Sequence, residues 1–488
     1  MLFNSYEFIF AFLPTVFLVY FFLLRQRWIL PAKIFLVTAS LFFYAWWNVL
    51  YLPLILGSVL FNYKVGGLLS RRAGTAQGAG RGLLTFGIVT NLALLGYFKY
   101  ADFFIENLNL ASGSNLPLLH LALPLAISFV TFQQVAFLVD SYKGYAREND
   151  FINYALFITF FPQLIAGPIV HHAEMMPQFA SRQNWVKNHK HIALGLFIFA
   201  TGLFKKCVIA DSFAHWASAG FDQPVALGMA EAWITSLSYT FQLYFDFSGY
   251  SDMAIGLALM FNIRLPINFN SPYKALSIQD FWRRWHITLS RFLRDYIYIP
   301  LGGNQQGRAR TWANLMATFL IGGLWHGAGW TFIFWGFLHG LALVVHRLWQ
   351  GLGWRLHPLL GWFLTFNFVN LAWVFFRAKT WDDALRVLKG MFLGDWTLSP
   401  QLPATLKQLP PLLHPHTIEQ PAFAALYAAL FLLAGFILAL ACNNSQQQAA
   451  RLKFGYWQSL RLALMLFGAL LIGFFGSQIS SEFLYFNF

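Results

Sequence analysis

Residues 320–340 read LIGGLWHGAGWTFIFWGFLHG. A bilayer-crossing helix needs about 20 mostly apolar residues, and this segment qualifies by length and hydropathy. It nevertheless carries His326 and His339, flanked by Trp325, Gly327, Gly329 and Trp330. Titratable groups at membrane depth are costly, so they usually face a cavity, a partner or a reaction. Gly322, Gly323, Gly327 and Gly329 would let other groups approach the backbone and imidazole closely. An imidazole titrates near neutrality, which suits a general base. The plainer alternative for both histidines is a helix–helix hydrogen bond.

The rest of the chain agrees with lipid as the solvent. Of 488 residues, 58% are hydrophobic and 11% charged, where a soluble domain averages about 25% charged. The 55 Phe, 19 Trp and 19 Tyr leave more apolar surface than a water-soluble fold can bury. One integral domain, 1–488, is expected. Net charge is +14, from 33 Lys+Arg against 19 Asp+Glu. The basic residues sit between apolar runs, as in cytoplasmic loops facing anionic lipid headgroups, so nucleic-acid binding is excluded. Cys207 and Cys442 lie far apart and offer neither a disulfide framework nor a Cys metal site.

Apolar windows recur from 6–24 to 459–477, predicting an all-α polytopic bundle of roughly 10–13 spans plus re-entrant pieces. Arg25 and Arg27 follow the first window, which reads as a retained helix with its N-terminus outside. The Arg-rich stretch 70–82 and the segment 442–461 are expected on the cytoplasmic side, and the Pro- and Leu-rich stretch 394–421 outside the membrane.

The segment 276–303, LSIQDFWRRWHITLSRFLRDYIYIPLGG, predicts a basic amphipathic helix. Ser277 can cap it, with Asp280 in its first turn. Phe281, Trp285, Leu289, Phe292 and Tyr296 recur at helical spacing. Arg283, Arg284, Arg291 and Arg294 lie on other faces. Such a helix either lies in the interface or lines a cavity, its arginines contacting the phosphates of a nucleotide-type cofactor. His286 sits on it.

YFDFSGYSDMAIG, 244–256, gathers Asp246, Ser248, Ser251 and Asp252. Ser248 can cap a helix; alternatively these acids orient a histidine or line a polar tunnel. LIAGPIVHHAEMMPQF, 164–179, pairs His171 with His172 near Glu174. That spacing is not the i, i+4 pair of helical zinc sites, and no completing ligand is near in sequence, so no metal is expected. No G-x-S-x-G elbow, Walker A motif or Rossmann glycine pattern occurs in a plausible context.

Together with NFNSPY (268–273), FNYKVG (61–66) and the opening MLFNSYEFIFAFLP, these blocks resemble the membrane-bound O-acyltransferase (MBOAT) family. The likeness is strongest to the membrane subunits of bacterial alginate and exopolysaccharide O-acetyltransferases, and its signature core is 244–340. The resemblance implies a helical bundle with short and re-entrant helices around a funnel, in the bacterial inner membrane. It places the family's essential G-x-W-H-G histidine on His326 and the W-R-x-W-H histidine on His286. It implies acetyl-CoA as a cytoplasmic donor substrate, with no permanently bound cofactor. A polysaccharide would be the acceptor, reached directly or through a periplasmic SGNH-type acetyltransferase. His326 is then the expected base, and His286 donates to the oxyanion or orients the nucleophile. Arg283, Arg284, Arg291 and Arg294, with Trp325, are the expected coenzyme contacts. Alginate is the first expected polymer, cellulose the second and teichoic-acid alanylation a distant third. Where relatives often carry a basic residue after GPIV, this chain has His171. The rival classes are a proton-coupled transporter or flippase using Asp246, Asp252 and the histidines, and a non-catalytic scaffold of a secretion complex.

Overall fold

The structure is a computed structural model, and it describes residues 1–73, 80–396, 398, 402, 419–452, 461, 468, 483 and 484. Most of the apolar window 459–477 and most of the stretch 394–421 lie outside the described residues. Among the described residues every regular element is helical. Seven helices there are long and apolar enough to cross a membrane, and the apolar helix Ile29–Ala45 is shorter.

The chain divides into two compact units, Met1–Phe199 with Met253–Pro266, and Ala200–Asp252 with Ile267–Phe488. The first holds α1 (Leu13–Arg25), α2 (Ile29–Ala45), α3 (Leu52–Arg72), α4 (Arg81–Ser112), α5 (Ile127–Tyr142), α6 (Phe151–Thr159), α7 (Phe161–Leu164) and α8 (His172–Ala180). Pro14 follows directly on the π turn Glu7–Phe12 inside the helical run Glu7–Arg25, so its missing N–H falls where the α-helical ladder is already interrupted. The helix closes in a Schellman turn: Trp28 N–H donates to Leu23 O and Arg27 N–H to Leu24 O, with Arg27 at φ 61°. Asn62 on α3 and Asn91 on α4 exchange side-chain amide hydrogen bonds of 3.0 and 2.7 Å. Reciprocal pairing of this kind holds helices together where hydrocarbon offers no competing partner.

α9 (His189–Phe204) and α11 (Met229–Met260) each run from one unit into the other, and α10 (Asp211–Phe221) lies in the second. The second unit continues with α12 (Ile278–Arg284), α13 (Ile287–Leu293), α14 (Gly307–His326), α15 (Trp330–Gly351), α16 (Pro358–Arg377), α17 (Trp381–Leu393), α18 (Pro421–Phe436) and α19 (Ser445–Ala450). Helix α16 is tied to α11 through Asn370, whose Oδ1 accepts from Ser236 Oγ at 3.1 Å and Thr240 Oγ1 at 2.7 Å.

Two expected continuous helices are broken. The stretch 320–340 is the end of α14 and the start of α15, parted at Gly327–Gly329. The two helices pack backbone to backbone: a Cβ on Gly323 would collide with Phe332 O, and one on Gly336 with Phe319 O. The expected helix through 277–299 stops at Arg284 and restarts at Ile287. Its start is as the sequence suggests, with Asp280 N–H donating to Ser277 Oγ at 3.2 Å. Its break falls on His286, at φ 42° and ψ 55°.

Candidate active site

A left-handed histidine is strained by roughly 1–2 kcal/mol, so surrounding structure must hold it there. The segment around Asn268 does so. Asn270 N–H donates to Arg284 O at 2.9 Å, and Ile287 N–H donates to Asn268 O at 3.0 Å. An orphan carbonyl of α12 and an orphan amide of α13 are thereby satisfied by one extended strand of chain. The NFNSPY segment is the clamp that breaks the helix at His286.

The side chain of Asn268 fixes the imidazole. Its Oδ1 receives Thr288 N–H at 3.2 Å, Thr288 Oγ1 at 2.9 Å and His286 Nδ1 at 3.1 Å. A backbone N–H can only donate, so the atom facing it is the amide oxygen. His286 Nδ1 is therefore the protonated nitrogen, and Nε2 carries the lone pair. The ring is fully buried, with the Phe247 ring 4.8 Å away and the Trp325 indole 6.4 Å away.

Trp325 connects the two histidines named from the sequence, its ring centroid lying 4.8 Å from that of His326. His326 is the last residue of α14 and is buried. Trp335 and Phe376 each lie 5.1 Å from it. His286, Trp325 and His326 thus form one aromatic-walled cluster at two helix breaks. On the far side of Trp335 stands His339, 4.8 Å away and fully buried. Its Nδ1 accepts from Trp282 Nε1 at 3.2 Å. This is the helix–helix hydrogen bond that the plainer reading anticipates, and it leaves Nε2 as the N–H of His339.

The arginines are not equivalent. Arg284 Nε is 2.8 Å from Asp280 Oδ1 and Arg294 Nε is 2.7 Å from Asp295 Oδ1, so both are already ion-paired. Arg283 is exposed and forms no ion pair among the described residues. Arg291 Nε is buried.

The acidic cluster differs from the capping and the histidine-orienting expectations. Ser248 lies inside α11 and caps nothing. Asp246 and Asp252 engage lysines, not a histidine. Lys206 Nζ lies 2.7 Å from Asp246 Oδ1 and 2.8 Å from Asp211 Oδ1. Lys205 Nζ lies 2.7 Å from Asp252 Oδ2, which also accepts from Ser445 Oγ at 2.6 Å. Sequence reasoning passed over these lysines, although two adjacent cations inside the apolar window 191–210 were the available signal. His171 and His172 also find carboxylates that are distant in sequence. Asp140 Oδ2 lies 3.6 Å from His171 Nδ1, and Glu148 Oε2 lies 3.1 Å from His172 Nε2. Hydrogen bonds from His172 and the Asp150 amide outweigh burial and hold the Glu148 carboxyl below its ordinary range.

The site is thus a cluster of buried histidines at helix breaks on a multi-pass helical scaffold. Residues 82–377 match the MBOAT, membrane-bound O-acyltransferase family, and the chain belongs to that family. It is a multi-pass membrane acyltransferase. A peptidoglycan O-acetyltransferase of Helicobacter pylori is 50% identical over all of this chain and 98% of its own length. A protein of Azotobacter vinelandii named "Probable alginate O-acetylase AlgI" is 43% identical over 84% of this chain and 82% of its own. A teichoic acid D-alanyltransferase of Streptococcus thermophilus is 28% identical over 52% of this chain and 68% of its own.

Proposed function

We propose that the protein takes acetyl from acetyl-CoA and passes it across the bacterial inner membrane for O-acetylation of peptidoglycan, directly or through a periplasmic acetyltransferase. The observation that carries this reading is the 50% identity, end to end, with a relative named for peptidoglycan. Alginate, the first expectation from sequence, becomes the second reading, supported by 43% identity over 84% of the chain.

Acyl transfer from a thioester needs a base for the incoming hydroxyl and a donor for the tetrahedral oxyanion. His286 Nε2, with its lone pair fixed by Asn268, takes the hydroxyl proton as the C–O bond forms. His326 donates to the oxyanion. As the C–S bond breaks, the imidazolium of His286 returns the proton to the coenzyme thiolate. This exchanges the roles expected from sequence, because a neutral His286 bonded through Nδ1–H has no second N–H for an oxyanion. Arg283 contacts the coenzyme phosphates, being the one arginine of α12 not held by a carboxylate.

Acetyl-CoA turnover by purified protein tests the chemistry. His326→Ala and His286→Ala should each abolish turnover while the protein still inserts and purifies; wild-type rates in either remove that residue from the mechanism. Ester-linked acetate in wall and secreted polymers of cells lacking the protein tests the acceptor. Loss from peptidoglycan is expected, whereas loss confined to a secreted polysaccharide selects the second reading.

A further inference from the structure

The first unit carries a cavity of about 900 Å³ that the acyl-transfer chemistry does not use. One wall is a single face of α1, where Leu18, Phe21, Phe22 and Arg25 recur at helical i, i+3, i+4, i+7 spacing. The opposite wall is the 3₁₀ turn Arg182–Trp185 with Val186 and Lys187. That turn is held from behind. Trp185 Nε1 donates to Phe179 O at 3.1 Å. The buried Asn262 donates from Nδ2 to Asn184 O at 3.1 Å and to Val186 O at 2.8 Å.

The lining pairs an apolar slot with a one-signed rim. Arg25, Arg27, Arg182 and Lys187 line it, and no lining residue is acidic. None of the four cations forms an ion pair among the described residues, although Lys187 Nζ stands 5.7 Å from the Phe17 ring centroid. Four such charges around hydrocarbon walls complement a ligand with a phosphate head and an acyl tail. The volume lies within the roughly 300–1,000 Å³ of ordinary small-molecule sites.

We infer that this cavity is a binding site for an anionic phospholipid, its phosphate held by Arg25, Arg27, Arg182 and Lys187 and an acyl chain laid along Leu18, Phe21 and Phe22. The positive-inside rule places such a site at the cytoplasmic leaflet. A free phosphate would be held by the rim alone, whereas the apolar wall continues down α1 and suits a tail.

The test uses the full-length protein purified in neutral detergent, with bound ligand counted by native mass spectrometry. Dioleoylphosphatidylglycerol, dioleoylphosphatidylcholine, inorganic phosphate and coenzyme A are titrated separately and in competition. Phosphatidylglycerol should bind at least tenfold tighter than phosphatidylcholine. The Arg182→Gln/Lys187→Gln variant should weaken phosphatidylglycerol roughly 20- to 30-fold, from about fivefold per cation lost near an anionic headgroup. Arg182→Lys/Lys187→Arg should keep the preference, which separates charge from folding. Equal binding of the two lipids, or an unchanged preference in the Gln variant, overturns the proposal. So does competitive displacement by coenzyme A or by phosphate at lipid-like concentrations, which would make this an anion site without a lipid.

Discussion

Asn268→Ala is the sharpest probe of the proposed base. In the native site one carbonyl oxygen receives three donors, His286 Nδ1, Thr288 N and Thr288 Oγ1. Removing it strands Nδ1–H in a fully buried setting. A buried donor without a partner costs about 1–3 kcal/mol. The imidazole escapes that cost by shifting its proton to Nε2 or by rotating, and either move withdraws the lone pair from the reaction. The competent arrangement then loses 1–3 kcal/mol against its alternatives, so kcat should fall roughly 5- to 150-fold at about 1.36 kcal/mol per decade. Donor KM should change little, because Asn268 makes no contact with the proposed phosphate-binding arginine. Asn268→Asp keeps an acceptor for all three donors and adds a charge that stabilises the imidazolium. It should recover most of kcat above the raised pKa and move the acidic limb of the pH–rate profile, which titrates the base, upward. Single-turnover acetyl transfer from labelled acetyl-CoA between pH 5 and 9 reads both effects. Full kcat in Asn268→Ala, or an Asn268→Asp variant as slow as Asn268→Ala with an unmoved profile, would refute the tautomer argument.

The arginine assignment predicts a contrast. Arg283→Gln should raise the KM for acetyl-CoA roughly ten- to hundred-fold through loss of a charge-assisted phosphate contact of about 1.5–3 kcal/mol, whereas Arg284→Gln, already paired with Asp280, should change it little; equal effects in steady-state kinetics would contradict it. Lys206→Met leaves the buried Asp246 carboxylate uncompensated, so stability should drop by about 3–5 kcal/mol, and thermal denaturation should show partial recovery when Asp246→Leu is added. Asp222 lies 2.6 Å from Arg377 and 3.1 Å from Lys379. Burial raises its carboxyl pKa, but the two cations outweigh that and hold it below the ordinary 3.8. A depressed carboxylate stabilises above its unfolded pKa, so wild type should exceed Asp222→Asn at pH 7 by under about 1 kcal/mol for this one-third-exposed side chain. That advantage should shrink steadily as pH falls below the ordinary 3.8 and through the depressed value, and a difference in melting curves that stays constant with falling pH would count against the ion pair.

What was legible in the sequence followed local rules. Uninterrupted apolar windows announced the membrane helices, Ser277 with Asp280 announced the start of α12, and imidazoles in costly surroundings pointed to His286 and His326. What was not legible depends on partners remote in sequence. Nothing local to Trp285 and His286 marks a break, since neither residue is glycine, asparagine or proline and the apolar stripe continues through them. The break exists because Asn268 and Asn270, some 16–18 residues earlier, satisfy the loose helix ends. The same limit hid Lys206 from Asp246, 40 residues along the chain, and Asp140 and Glu148 from the paired histidines.

The two breaks also account for how one lipid-embedded scaffold presents two unlike imidazoles. Within an unbroken α-helix every backbone group is spent on the next turn, leaving nothing to orient a buried side chain. At His286 the interruption frees backbone groups for the Asn268 segment, which brings an amide oxygen with it, so clamping the chain and fixing the tautomer are one structural event. At His326 the helix ends against glycines, and the rings of Trp325, Trp335 and Phe376 pack around the imidazole. A carboxylate bonded to the His286 ring would favour the imidazolium and raise the pH at which the base becomes available. Asp246 and Asp252 of α11 are instead paired with Lys206 and Lys205. Those two carboxylates are thereby spent on lysines, and an amide oxygen orients the His286 ring instead.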